Sequence, residues 1–299
     1  MSASGSIYDL GYQRYDGPRL GRLIVALGLL RGTLAASYGI GRGGRAKIIP
    51  FVLLGFALLP AVLAVGIAAL AAQAGVGGAL DEASPISHAT YHGLTSTLIM
   101  LFCAAQAPEL FGKDQRYGVL PLYFSRVLTR PDYALARVGG LFAAVLAISL
   151  LPHLVLFLGG ILVAADPMTG LGKEAPDVPR FLAVSVLGSA LLAGVAAVIA
   201  AWTPRRAYAT AAVIAVFIIP PIIVALVAQL SIGDLARTLV LLSPGDIVDG
   251  FNAAVYGTLP DNPAVASANL SGLAYAAAAG VGIAGSIALV LRRYLNISG

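Results

Sequence analysis

The stretch GKDQRYGVLPLYFSRVLTRPDYALAR, residues 112–137, decides how this chain is organised. It interleaves basic and acidic side chains with leucine, tyrosine and phenylalanine, and it lies between two strongly apolar stretches. A plain linker would be short, polar and rich in glycine and serine. We therefore expect residues 112–137 to be held in place, either by another part of the protein or by a partner.

The composition around this segment is that of an integral membrane protein. Of the 299 residues, 59% are hydrophobic and 11% are charged, whereas an ordinary soluble domain has about 25% charged residues. The net charge of +5 does not indicate nucleic-acid binding, because the basic residues fall between apolar runs and not along one soluble face. The single cysteine, Cys103, excludes an intramolecular disulfide and a cysteine metal cluster.

Six stretches are long and apolar enough to cross a bilayer, which takes about 20 residues of helix. They cover residues 48–72, 91–110, 138–165, 181–202, 207–230 and 271–291. The sequence thus predicts an all-α membrane protein. Its parts are a cytoplasmic N-terminal arm (1–47), a six-helix transmembrane domain (48–291) and a cytoplasmic tail (292–299).

Lysine and arginine are distributed unevenly between the two sides of these spans. Sixteen of the 19 basic residues lie in the arm, in residues 112–137, at residues 205 and 206, or at residues 292 and 293. Short loops that are rich in lysine and arginine stay in the cytoplasm. Both termini and residues 112–137 are therefore expected to be cytoplasmic, and no secretory signal is expected at the start of the arm.

The arm contains an amphipathic segment. Pro18 stands where a helix would begin. Apolar residues then recur on one helical face: Leu20, Leu23, Ile24, Leu27, Leu30 and Leu34. The pattern predicts a helix that lies in the membrane interface. A loosely packed cytoplasmic helix is the alternative.

A second amphipathic segment connects the fifth and sixth spans on the external side. Its leucines at 235, 239 and 242 have helical spacing, and a second short helix is predicted over Ile247–Tyr256. Pro244 and Gly245 break the pattern between the two. Half-helices joined at such a break favour a re-entrant helical hairpin, with Pro244 and Gly245 as an outer gate. An ordinary surface loop is the alternative.

Polar groups at membrane depth are few, so we do not expect an enzyme. The chain has no phosphate loop of the form GxxxxGK[ST] and no GxSxG, so neither ATP hydrolysis nor a cofactor is expected on it. His88 and His92 are four residues apart but lack an HExxH pattern, so no metal site is predicted. The candidate residues for a substrate cavity are Gln106, His153 and Phe157.

Residues 112–137 resemble the loop after the second span in the membrane subunits of type-2 ABC exporters, which have the type V exporter fold. In that family a charge cluster precedes a glycine and a leucine-rich turn, and Ser-Arg, an acidic residue and tyrosine follow before the third span. The matching residues, with Glu109 just ahead of them, are Lys113, Asp114, Arg116, Gly118, Leu120, Leu122, Tyr123, Phe124, Ser125, Arg126, Arg130, Asp132 and Tyr133. The sequence departs from the pattern at Val119, Val127, Thr129, Ala136 and Arg137.

The start of the chain, IYDLGYQRYDGPRLGR, also resembles the N-terminal arm of actinobacterial members of this family. The resemblance implies a cytoplasmic coupling helix, between spans 2 and 3, that rests in a cleft on a separate ABC ATPase subunit. The apolar and aromatic residues of the motif would grip that cleft, and its arginines would set the electrostatic register. Two ATPase copies would carry ATP and magnesium, and a second permease copy or a paralogue would complete the transporter in a bacterial inner (plasma) membrane.

The function implied is export of an apolar or amphipathic compound (a drug, lipid or natural product), driven by ATP on the partner. A membrane scaffold or assembly subunit without transport is the alternative. It needs the spans and the basic loops, but neither an external hairpin nor aromatic residues in the loop. A basic loop that only binds anionic lipid would likewise need the arginines and not the aromatic residues.

Overall fold

The computed structural model describes residues 17, 21–75, 86–124, 128–230 and 233–296, and every regular element in these ranges is a helix. In chain order they are α1 (Arg22–Ser37), α2 (Arg45–Gln73), α3 (His88–Arg116), α4 (Leu120–Phe124), α5 (Arg130–Val163), α6 (Pro167–Glu174), α7 (Val178–Trp202), α8 (Arg206–Gln229), α9 (Gly233–Val240), α10 (Pro244–Tyr256), α11 (Pro263–Ala268) and α12 (Gly272–Leu295). A short 3-10 turn, Ala175–Asp177, joins α6 to α7.

Six of these helices are long and apolar enough to cross a membrane, namely α2, α3, α5, α7, α8 and α12. The predicted all-helical class is therefore confirmed for the described residues, and so is the presence of six helices of spanning length and polarity. Two spans extend farthest beyond their apolar runs: α3 continues to Arg116, and α5 already begins at Arg130. Hydropathy does not count such charged turns. The start of α5 is fixed by a capping box, in which Thr129 and Asp132 satisfy each other's backbone N–H groups.

The connections between the spans fall at two ends of the bundle. The terminal side carries Arg22, the α3–α5 connection and Leu295, and the far side carries α6 and helices α9–α11. Long-range hydrogen bonds close the terminal side: Arg22 Nε donates to Asp132 Oδ2 at 2.6 Å, and Arg130 Nη1 donates to the carbonyl oxygen of Leu295 at 2.8 Å.

The core lies where α5 and α7 meet their neighbours. Helix α5 packs against α1, α2 and α7, and α7 also packs against α3 and α12. Small residues on α7 let these helices approach closely; the fully buried ones include Ala193, Ala196, Ala197 and Ala200. Aromatic and branched side chains fill the remaining space; they include Phe102, Phe111, Leu141 and Ile148. Helices α2 and α8 leave many large apolar side chains exposed, as lipid-facing helices do.

Helix α1 lies against α5 at a glycine. A Cβ atom at Gly140 would lie 2.5 Å from Cβ of Thr33 and 2.8 Å from the carbonyl oxygen of Leu30, so only glycine allows this approach. Thr33 is buried, whereas Leu23 and Leu27 are exposed. The helix begins at Arg22, and the predicted start at Pro18 lies outside the described residues. Its location in a membrane interface stays a prediction.

The segment between α8 and α12 contains both predicted short helices, α9 and α10. Helix α10 begins at Pro244, three residues before the predicted Ile247, because proline is well suited to the first helical position. A third helix, α11, was not predicted; it is capped by Asn262, whose Oδ1 accepts from the backbone N–H of Ala264 at 3.0 Å. That this segment re-enters the membrane stays a prediction.

Candidate functional site

The α3–α5 connection rests on a buried charged network. Tyr133 donates its hydroxyl hydrogen to Asp114 Oδ2 at 2.7 Å, and Arg137 forms an ion pair with the same carboxylate. Arg137 Nε also donates to the Tyr133 hydroxyl at 3.2 Å, and Arg137 Nη1 donates to Thr33 Oγ1 at 3.4 Å. The network therefore joins the end of α3, the first turns of α5 and helix α1.

Burial makes this network structurally important. Asp114 is 9% exposed and Arg137 is 8% exposed, so neither charge is fully solvated by water. A buried charge whose partner is removed is strongly destabilising, while the intact pair satisfies both groups. The network thus fixes α3, α5 and α1 relative to one another at the terminal side.

An aromatic cluster attaches α4 to this network. The ring centroids of Tyr123 and Tyr133 are 5.2 Å apart, and those of Phe124 and Tyr133 are 5.8 Å apart in an edge-on arrangement. Tyr294 of α12 lies against the same ring at 5.2 Å. The guanidinium carbon of Arg130 lies 5.8 Å from the Phe124 centroid. Helix α4 is therefore packed onto α5, and the Tyr133 ring that it contacts also touches α12.

Glu109 connects three distant parts of the terminal side. Its carboxylate lies 3.3 Å from Arg42, in the α1–α2 connection, and 3.3 Å from Arg206, at the start of α8. Sequence reasoning included Glu109 among the coupling residues, but it did not identify these two arginine partners. They lie far from Glu109 in the sequence, and only the fold brings them together.

A different subset of the predicted coupling residues points outward. Leu122 is 69% exposed, and Lys113, Arg116 and Gly118 are exposed as well. Tyr117, which sequence reasoning missed, is 67% exposed beside them. Gly118 has a φ of +64°, a conformation that reverses the chain after α3 and that other residues rarely adopt.

The structure thus divides the predicted coupling set by location. Leu120 is only 4% exposed, and Tyr123 and Phe124 are half-buried, so the apolar side chain presented most fully is Leu122. Asp132 accepts from Arg22 and caps α5, and Tyr133 is fully buried. Ser125 and Arg126 lie outside the described residues.

A second candidate site is a cavity of about 660 Å³ on the far side, between α3, α8 and α10. Its apolar wall comes from α3 and α8 and includes Leu94, Met100, Leu101, Phe217, Ile218 and Pro221. Its polar end includes His92, Asp246, Asp249, Asp261 and Asn262. Gly245, one of the two predicted gate residues, also lines it, whereas Pro244 is buried at the start of α10.

The carboxylates at the polar end are held by a few hydrogen bonds. The backbone N–H groups of Asp261 and Asn262 donate to the two oxygens of Asp249, each at 3.0 Å. The Asn262 side-chain amide donates to Asp246 Oδ1 at 2.9 Å. The carboxylate of Asp261 packs against α3 at Gly93, where a Cβ atom would overlap it. The loop before α11 therefore gathers three acidic side chains at one end of the cavity.

Burial raises the pKa of the Asp246 carboxyl above its ordinary value, although Asn262 and the nearby Ser243 hydroxyl partly oppose that shift. Burial also raises the pKa of Asp249 and of Asp261, and repulsion between the carboxylates adds to both shifts. Because the pKa of these groups is higher in the folded chain than in the unfolded chain, they stabilise the fold in acid. That contribution is lost as the pH rises through the folded-state pKa.

Asp246→Asn is accordingly expected to raise the apparent melting temperature at about pH 8 by ~2–4 °C. The substitution removes a buried charge and keeps an oxygen to accept from Asn262. The difference should shrink at a second, acidic pH, because protonation of the wild-type carboxyl removes the same buried charge. Thermal unfolding of the purified chain at both pH values measures this effect. Asp177→Asn, at a partly exposed acid of the far side that pairs with Arg180, is the control. Equal destabilisation by Asp246→Asn at both pH values would contradict the interpretation.

The candidate cavity residues from the sequence do not line this cavity. His153 Nδ1 lies 3.0 Å from His88 Nδ1, and His88 Nε2 lies 3.2 Å from Glu174 Oε2. Phe157 packs with Phe181 at the edge of this histidine cluster. His153 therefore bonds His88 on a neighbouring helix and lies outside the far-side cavity.

Gln106 is buried in α3, away from the histidine cluster and the far-side cavity. Across the described ranges, no group of three or more His, Cys, Asp or Glu side chains is arranged to hold a metal ion. A scan against protein-family models gives no match for this sequence, and no curated protein matches it either.

Proposed function

We propose that this chain is the transmembrane permease subunit of an ATP-driven ABC exporter that moves an apolar or amphipathic compound. The observation that carries the proposal is the construction of the α3–α5 connection. The connection presents Leu122 of α4 and Tyr117 at the end of α3 outward, together with Lys113 and Arg116 of the last turn of α3. The inner face of α4 packs on Tyr133, a member of the buried charged network. An apolar centre with basic neighbours is a common form of protein-binding surface.

The anchoring gives this surface a mechanical role. A push on α4 reaches Tyr133 through Tyr123 and Phe124, and the Asp114–Arg137 pair joins that ring to α3 and α1. Close-packed interiors transmit such displacements instead of absorbing them. ATP binding on a partner would thus move the cytoplasmic ends of two spans together, as in a rigid-body switch between inward- and outward-facing states.

The proposed exporter also requires a defined orientation in the membrane and partner subunits. The terminal side would face the cytoplasm of a bacterium, because it carries most of the lysine and arginine. Two ABC ATPase subunits, with ATP and magnesium, would bind there, and a second permease copy or a paralogue would pair within the membrane. The ATPase chemistry is assigned to the partner.

The test is co-purification with the ABC ATPase encoded by a neighbouring reading frame. Leu122→Glu, with or without Arg116→Glu, is expected to reduce recovery of the ATPase at least tenfold, because it places a charge at the centre of the binding surface. Tyr123 and Phe124 are less suitable positions, since their loss would also disturb the packing on Tyr133.

The matched control is Leu259→Glu, the same substitution at a leucine that is 86% exposed on the far side. It should leave ATPase recovery unchanged. If Leu122→Glu retains the ATPase as well as wild type does, or if no ATPase associates with wild type, the coupling assignment is wrong. A scaffold role then becomes the better interpretation.

A further inference from the structure

The far-side cavity has an unbalanced charge. Three aspartates line it, and its described lining residues include no lysine or arginine. The remaining ionisable group among them is His92. Closely spaced carboxylates beside a low-dielectric wall create a negative potential that focuses cations and repels anions. The charge at this end of the cavity is therefore suited to a positively charged ligand.

One of the three carboxylates is incompletely satisfied within the protein. Asp246 is 3% exposed and lines the cavity, and its Oδ2 atom has no hydrogen-bond partner among the described residues. Ser243 lies close enough to favour the charged form, but its hydroxyl does not complete a hydrogen bond. A buried, partly unpaired carboxylate is costly to the fold. A cation in the cavity would offset that cost.

The rest of the cavity indicates what the cation is attached to. Met100 and Leu101 of α3 face Phe217, Ile218 and Pro221 of α8 across the volume. Methionine adapts to irregular apolar shapes, and an aromatic face attracts organic cations. At about 660 Å³ the cavity has the size of pockets that hold drug-sized molecules. A small hydrated metal ion would leave the apolar wall unused.

We propose that the far-side cavity binds an amphipathic organic cation. Asp261, the exposed carboxylate, contacts the charged group, and Asp246 and Asp249 supply negative potential behind it. The apolar body of the ligand lies against α3 and α8. Binding of the cation to this cavity does not depend on the exporter proposed above. Calling the cation the substrate of that exporter rests on the proposed function.

The test compares two probes of similar shape and opposite charge, tetraphenylphosphonium and tetraphenylborate. Their binding to the purified full-length chain is measured by equilibrium dialysis in one detergent, with protein-free micelles subtracted. We expect tetraphenylphosphonium to bind at least tenfold more tightly, a difference of about 1.4 kcal/mol. Equal affinities would show an apolar cavity without charge selection and would overturn the proposal.

Variants then locate the binding site. Asp261→Asn and Asp246→Asn are each expected to weaken tetraphenylphosphonium binding about tenfold or more, while Asp177→Asn leaves it unchanged. Asp246→Asn is informative because it is expected to stabilise the fold, so its lower affinity would not reflect unfolding. If both variants bind the probe as wild type does, the carboxylates do not form the site.

This assay separates the binding proposal from the proposed function. Binding needs no ATPase, and ATPase co-purification needs no ligand. Loss of charge selectivity with normal ATPase association would leave the exporter assignment in place and remove the cation site. Selective binding of tetraphenylphosphonium without ATPase association would support the cation site and contradict the exporter assignment.

Discussion

Replacing Arg137 by methionine is expected to lower the free energy of unfolding by about 3–5 kcal/mol, because Asp114 then keeps its buried charge without a partner. The same change removes hydrogen bonds to the hydroxyls of Tyr133 and Thr33. Chemical unfolding of the purified chain in mixed micelles, followed by tryptophan fluorescence at Trp202, measures the difference.

Two further variants identify the cause of this loss. Arg292→Met, at an exposed arginine of α12, should change the unfolding free energy little, because exposed charges contribute little to stability. The double variant Asp114→Asn/Arg137→Met should recover much of the loss, since no buried charge remains unpaired. If Arg137→Met is as stable as Arg292→Met, the network is not structurally important.

Gly140→Val is expected to separate α1 from α5, the second large effect. The new side chain would overlap Thr33 and the backbone of Leu30, and backbone cannot move aside as a flexible side chain can. Overpacking of this kind typically costs about 1–3 kcal/mol. The displacement of Thr33 would also remove a hydrogen bond from Arg137. The expected result is a lower melting temperature and faster tryptic cleavage at Arg31 within α1.

Gly285→Val is the matched control for this prediction. It makes the same substitution in another spanning helix, α12, where a Cβ atom meets no neighbouring atom within 4 Å. Equal melting temperatures and equal cleavage rates for the two variants would mean that α1 is not held against α5 at Gly140.

The spans could be predicted from the sequence because a bilayer imposes a simple rule on helix length and polarity. The buried charged network of Asp114, Tyr133 and Arg137 could not be predicted in this way. Asp114 and Arg137 flank the α3–α5 connection, and charged residues in such a place are usually solvated. One signal was present: Tyr133 and Arg137 are four residues apart and therefore share a helical face. That spacing predicts a joint role but does not identify Asp114 as the third member.

The far-side cavity was missed for a related reason. In the sequence, no motif marks its three aspartates as members of one site. Asp246 and Asp249 are three residues apart, and this spacing places both on one face of α10. Asp261 comes from the loop before α11, and the apolar wall comes from α3 and α8. The cavity is formed by four segments that are distant in the sequence, and no local sequence pattern predicts that they come together.

Glu109 has a consequence for how the chain is made. Arg42 is synthesised before Glu109, and Arg206 is synthesised long after it. One of its two arginine partners is therefore available early, and the other only once the first residue of the fifth span, Arg206, has been made. The Asp114–Arg137 pair, by contrast, closes within one helical hairpin. The order of synthesis therefore allows Asp114 and Arg137 to pair before the fifth span exists, and the Glu109–Arg206 contact then joins that span to α3.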